Sequence, residues 1–99
     1  SPMVGRVWDD GPMLFSVQVE VSLREGVADP QGSTIERSLP HLGFDGVRGV
    51  RVGKSIRFEL EATDESAAVA EVEDLCRRFL TNPVIEDSHV TVTAVEAAR

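Results

Sequence analysis

From Leu14 to Leu23 the chain alternates: Phe15, Val17, Val19, Val21 and Leu23 are apolar, while Ser16, Gln18, Glu20 and Ser22 are polar. A period of two puts each set on its own face, so this stretch predicts a half-buried β-strand. A loop containing Gly26, Asp29, Pro30 and Gly32 follows. Then Ile35, Leu39 and Leu42 recur at i, i+4 and i+7, the spacing of one helical face. Two starts for this helix are open. Asp29 can be the N-cap with Pro30 at the first helical position, or Ser33 and Glu36 can form a capping box. Gly43 is placed to end it, because glycine tolerates positive φ. Pro40 conflicts with a continuous helix, since an interior proline removes a hydrogen bond and costs about 3 kcal/mol. A kink or a shortened helix is expected there.

The second half repeats the alternation. Val47, Val50 and Val52 lead into Gly53-Lys54, read as a tight turn. Ile56, Phe58, Leu60 and Ala62 then alternate with Arg57, Glu59, Glu61 and Thr63, which together predicts a hairpin. Asp64 caps a second helix and Glu65 favours its positive end. Val69, Val72, Cys76, Phe79 and Leu80 fall on one face of it, with Leu75 beside them. Arg77 and Arg78 lie near its negative end, and Asn82-Pro83 stops it. A last strand is expected over about Val84 to Val95.

The predicted order is β-α-β-β-α-β. It suits an α+β fold, an antiparallel sheet with two helices on one face, broadly ferredoxin-like. Residues 1–13, broken by Gly5, Gly11 and Pro12, read as a flexible N-terminal arm, and residues 14–99 as a single domain. Trp8 in that arm either packs loosely on its own domain or docks on a neighbouring subunit.

Composition narrows the partners. The 99 residues are 41% hydrophobic and 27% charged, with a formal net charge of -7. An acidic chain without a broad basic stripe does not suit nucleic acid or an anionic membrane surface. No apolar run approaches the ~20 residues of a membrane span. The first residues lack the basic-then-apolar order of a signal peptide, and the single cysteine, Cys76, cannot form an internal disulfide. A reducing, cytoplasmic setting is expected.

A search for catalytic chemistry returns little. Gly53-Lys54-Ser55 looks like the end of a phosphate-binding loop, but that motif needs a glycine where Arg48 stands and a helix where a strand pattern begins. Cys76 lies on an apolar helix face, unlike a thiolate nucleophile at a helix N-terminus. His41 and His89 have no metal-ligand spacing with each other or with Cys76. Glu86 and Asp87 are neighbours on a strand and face opposite ways. The basic residues Arg48, Arg51, Lys54 and Arg57 form either a solvated face balancing Glu59 and Glu61 or a contact patch for an acidic surface or a phosphate.

Several segments together resemble the PurS family, the small subunit of phosphoribosylformylglycinamidine (FGAM) synthase. They are Asp29-Pro30-Gln31-Gly32, Leu42-Gly43-Phe44, Val50-Arg51-Val52-Gly53-Lys54 and Asn82-Pro83-Val84-Ile85-Glu86-Asp87, in order over about Phe15 to Val92. Pro40 departs from the helix formers usual before Leu-Gly-Phe. The resemblance implies a non-catalytic bridging subunit of purine biosynthesis, a homodimer or tetramer. Such a subunit joins a PurL-like synthetase subunit to a PurQ-like glutaminase subunit, so that ammonia passes between them. It implies no cofactor on this chain, with ATP and magnesium on the synthetase. Candidate partner contacts are then Asp29, Pro30, Gln31, Gly32, Arg51, Gly53, Lys54, Asn82, Glu86 and Asp87. The alternative reading is a small dimeric ligand-sensing module, with the basic turn holding an anion.

Overall fold

The computed structural model describes residues 12–95; Trp8 and all but the end of the expected arm lie outside them. β1 (Met13–Leu23) is the central strand of a three-stranded sheet ordered β2-β1-β3, with β2 spanning Lys54–Ala62 and β3 spanning Glu86–Ala94. Both neighbours are antiparallel to β1. Met13 pairs with Ala62 and Phe15 with Ala94 at one end of the sheet; Val21 pairs with Lys54 and Leu23 with Glu86 at the other.

The alternation seen in the sequence sets the two faces. Phe15, Val17, Val19 and Val21 are buried, and Ile56, Phe58, Leu60, Val90 and Val92 pack beside them from the flanking strands. The residues between, among them Ser16, Gln18 and Glu20, turn to the opposite, polar face. There Gln18 Nε2 donates to Glu20 Oε2 (3.2 Å) and Ser55 Oγ (3.1 Å).

α2 (Glu65–Leu75) closes the apolar face. Asp64 caps it as expected, accepting from the Ala67 N–H (2.8 Å). Ala68, Val72 and Cys76 are buried along it, and Leu80 continues the line at the same spacing of four. Phe79, expected on this face, is 80% exposed. The reason is a π-turn over Cys76–Leu80, closed by the Thr81 N–H donating to the Cys76 carbonyl (3.0 Å). The wider turn keeps Leu80 facing the sheet and rotates Phe79 outward.

The architecture is the expected antiparallel α+β one, with two departures among the strands. The segment 47–53 is not a strand, so Gly53-Lys54 leads into β2 rather than making a hairpin turn. Val47 and Val50 are three apart, out of step with a strand, and Gly49 adopts φ 68° between them. The second departure is at the C-terminal strand: it begins at Glu86, because Asn82 to Ile85 form a turn that leaves Val84 exposed.

β1 and β2 are therefore joined by a long excursion, residues 24–53, that carries the first helix. α1 (Pro30–Ser38) starts at Asp29 with Pro30 behind it; the Ser33 start is not used. Pro40 has the foreseen effect. α1 stops at Ser38, and Pro40–Leu42 forms a separate 3₁₀ turn capped by Gly43 at φ 93°. α1 has no extensive contact with α2 or with any strand, so α2 alone covers the sheet and the two helices do not share one face of it as the sequence suggested.

Candidate functional site

The candidate contact segments are far apart in sequence and meet at one end of the sheet, around Val21 to Arg24. The link between the first two is Asp29, whose side chain is buried at 8% exposure. Its Oδ1 accepts from the Gly32 N–H (2.9 Å), which is the helix cap. Its Oδ2 accepts from the Val52 N–H (2.8 Å), across the excursion. These two backbone donors, with the nearby Arg51 guanidinium, hold the carboxyl below its usual pKa, so it stays ionised at neutral pH.

Further contacts tighten this neck. Glu36 Oε1 accepts from the Val50 N–H (3.0 Å). The Arg51 guanidinium donates to the Val27 carbonyl (3.2 Å) and the Arg24 carbonyl (3.3 Å). Carboxylates thus take the amides of Val50 and Val52, which a neighbouring strand would otherwise bind. Gly32 lies so close to the Val50 carbonyl oxygen that a β-carbon there would overlap it. At Gly53 a β-carbon would sit 2.7 Å from the Val21 carbonyl oxygen. Both positions require a residue without a side chain.

The third segment is fastened to the same end. The Arg24 N–H donates to the Ile85 carbonyl (2.8 Å), and Arg24 Nε lies 3.5 Å from Asp87 Oδ1. Asn82 Oδ1 accepts from the Val84 N–H (3.2 Å), and the Asn82 N–H donates to Glu86 Oε1 (2.8 Å). Arg24 therefore touches both the neck, through its carbonyl, and the Asn82–Asp87 turn. Sequence reasoning gave no signal for Arg24, and it saw Glu36 only as a possible cap.

Beside this junction the polar face dips into a shallow cleft of about 440 Å³ lined by Glu20, Ser22, Lys54, Ser55, Asp87 and His89, among others. The basic residues do not converge on it. Arg51 is turned into the neck, Arg57 pairs in register with Gln18 on the polar face, and Arg48 is exposed in the excursion. Among the described residues no group of three or more His, Cys, Asp or Glu side chains could hold a metal ion. Cys76 is a free thiol inside the core, against Val72 and the β1 valines.

Apolar side chains are left uncovered on the excursion and after α2. Ile35, Leu42, Phe44 and Val47 are exposed on the excursion, and Phe79 and Val84 on the α2 side. What this end offers is shape and apolar surface held by an internal hydrogen-bond frame.

Residues 16–94 match the family model PurS, phosphoribosylformylglycinamidine (FGAM) synthase. The chain belongs to the PurS family. It is 40% identical to the Synechocystis phosphoribosylformylglycinamidine synthase subunit PurS over 85% of this chain and 84% of that one. It is 37% identical to the Methanocaldococcus jannaschii PurS subunit over 84% of this chain and all of the other. Among solved structures it is similar to the PurS subunit of Thermotoga maritima, with TM-score 0.75 and 38% identity over 82% of this chain and 93% of that one. A chain in the structure of PurLQS from the same organism aligns with TM-score 0.74 and 39% identity over 80% of this chain and 96% of its own. Three of the four segments that suggested PurS in the sequence meet at the junction at the end of β1; the fourth, Leu42-Gly43-Phe44, lies in the turn after α1. No helix of the described residues is long and apolar enough to cross a membrane.

Proposed function

We infer that this PurS-family chain is the bridging subunit of an FGAM synthase, holding a glutaminase subunit and an ATP-dependent synthetase subunit in fixed relation so that ammonia passes from one to the other. The observation that carries this is the junction itself. Three separated segments are spent on an internal frame that fixes a surface, with the side chains of Asp29, Glu36, Arg51, Asn82 and Glu86 committed to its backbone. A rigid part of this kind supplies relative orientation to chemistry performed elsewhere. The likeness to a chain of PurLQS supports the same reading.

On this reading ATP and magnesium bind the synthetase subunit, this chain carries no cofactor, and the assembly works in the cytoplasm. Asp29 to Gly32, Arg51 to Lys54 and Asn82 to Asp87 mark the contact regions. Asp29, Arg51 and the two glycines act by shaping them; Gln31, Lys54, Glu86 and Asp87 stand at their rim. The exposed apolar residues of the excursion and the outer edges of β2 and β3, unpaired among the described residues, fit a second copy of the chain, giving a homodimer or tetramer.

The test mixes the purified chain with the two partner subunits, glutamine, ATP, magnesium and formylglycinamide ribonucleotide. Glutamine-dependent FGAM formation should require this chain. Equal turnover without it refutes the reading. A ligand-sensing role rests only on the cleft beside Lys54 and His89; a metabolite that alone raises the melting temperature would favour it.

A further inference from the structure

The π-turn that keeps Leu80 against the sheet leaves Phe79 outside, 80% exposed. The backbone there is held from within: the Thr81 N–H (3.0 Å) and the Thr81 Oγ1 hydroxyl (2.9 Å) both donate to the Cys76 carbonyl. Val84 follows in the next turn and is equally exposed. That turn is fixed by the Asn82 carbonyl, which accepts from the N–H groups of Ile85 (3.0 Å) and Glu86 (2.8 Å). Leu75 and Ile85, at either end of the stretch, add further exposed apolar surface. Large apolar side chains turned to water by a hydrogen-bonded backbone mark an interaction site rather than an ordinary solvated surface.

We propose that residues 75–85 form a docking knob for a partner subunit that presents an apolar socket rimmed by carboxylates; the proposal rests on the bridging role inferred above. Charge selects the occupant. The stretch from Asp74 to Val84 contains one carboxylate, Asp74, and two guanidiniums, Arg77 and Arg78, in a chain whose formal net charge is -7. Arg77 (3.1 Å) and Arg78 (3.2 Å) both donate to Asp74, which leaves the stretch with an excess of positive charge beside Phe79. Phe and Arg are the kinds of residue enriched at protein interfaces. A two-fold contact of this surface with itself would set the two arginines against the same pair in a second copy. An unsymmetrical contact between copies builds rings or open chains rather than two-fold pairs. The second copy has its own surfaces, on the excursion and along the sheet edges. Because both turns are already ordered, docking here freezes little backbone.

Phe79→Asp and Val84→Asp in the full chain test it. Both side chains are exposed, so melting followed by circular dichroism and the mass of the homo-oligomer in analytical ultracentrifugation should be unchanged. Affinity for each purified partner subunit, with glutamine, ATP and magnesium present, is read by biolayer interferometry. At least one subunit should bind the variants about tenfold or more weakly, as expected when a charge replaces an apolar anchor in a desolvated pocket. The double variant Arg77→Glu, Arg78→Glu should slow association with that same subunit, because rim charges act mainly on the on-rate. Unchanged affinity of both aspartate variants for both subunits overturns the proposal. So does a smaller homo-oligomer, which would assign the surface to a second copy. A wild-type chain that binds neither subunit is the separate result that refutes the bridging role, and the proposal falls with it.

Discussion

Replacing Gly32 by alanine sets two opposing effects against each other. Alanine is the better helix former, by about 1 kcal/mol in a helix interior. The added methyl group, however, overlaps the Val50 carbonyl oxygen and sits 2.9 Å from Asp29 Oδ2. Neither atom is the loose end of a flexible side chain. The carbonyl belongs to the backbone that Glu36 holds, and the carboxylate is fixed by two N–H donors. Overpacking of this kind costs about 1–3 kcal/mol, and displacing Asp29 adds the loss of the Val52 bond. The clash outweighs the propensity gain, and Gly32→Ala should lose about 1 kcal/mol or more. For a chain of this size that is a fall in Tm of at least about 4 °C. Gly46→Ala is the control: its φ is not positive and a β-carbon there meets nothing within 4 Å. It should be neutral or stabilising by up to about 1 kcal/mol. Thermal unfolding followed by circular dichroism, at one fixed protein concentration, reads both. If Gly32→Ala melts at or above Gly46→Ala, the close approach at the neck is not real.

Other outcomes follow from the same structure. Val72→Ala, at a fully buried site, should cost about 2 kcal/mol, whereas Phe79→Ala should leave the melting of the isolated chain unchanged and weaken assembly with the partner subunits in a pull-down. Cys76→Ala should cost stability but leave glutamine-dependent turnover of the assembled enzyme intact, and native Cys76 should resist thiol reagents until the chain is unfolded. Asp29 and Asp74 both have carboxyls held below the usual value of 3.8, the first by backbone donors and the second chiefly by a hydrogen bond from Arg78. Their contribution is fully present above about pH 4 and is lost as pH falls through the lower folded values. Urea midpoints measured down that range should fall for the wild type and less steeply for Asp29→Asn.

Much of this was legible because local chemistry and tertiary context agree. The β1 alternation, the Asp64 cap, the Pro40 break and the Gly43 cap each depend on a few adjacent residues and appear as the sequence indicates, and the Asp29 cap is one of the two helix starts it leaves open. The failures have separate causes. Val50 and Val52 resemble a strand, but their amides are taken by Asp29 and Glu36, 23 and 14 residues away. Phe79 fits an ideal helical face, but the π-turn changes the phase of that face. The candidate contact residues share only motif position in the sequence. Their meeting at the end of β1 depends on strand register, and Arg24, which joins two of the segments, belongs to no motif.

The sheet register has a practical consequence. Met13 and Ala94 lie together at the pole opposite the junction, where the Val95 N–H donates to the Leu14 carbonyl (2.9 Å). A tether, label or covalently joined polypeptide grafted beyond either residue starts from the far side of the molecule. Immobilised copies would therefore present the junction outward, and joining this domain in one polypeptide to a larger enzyme demands no rerouting of the strands.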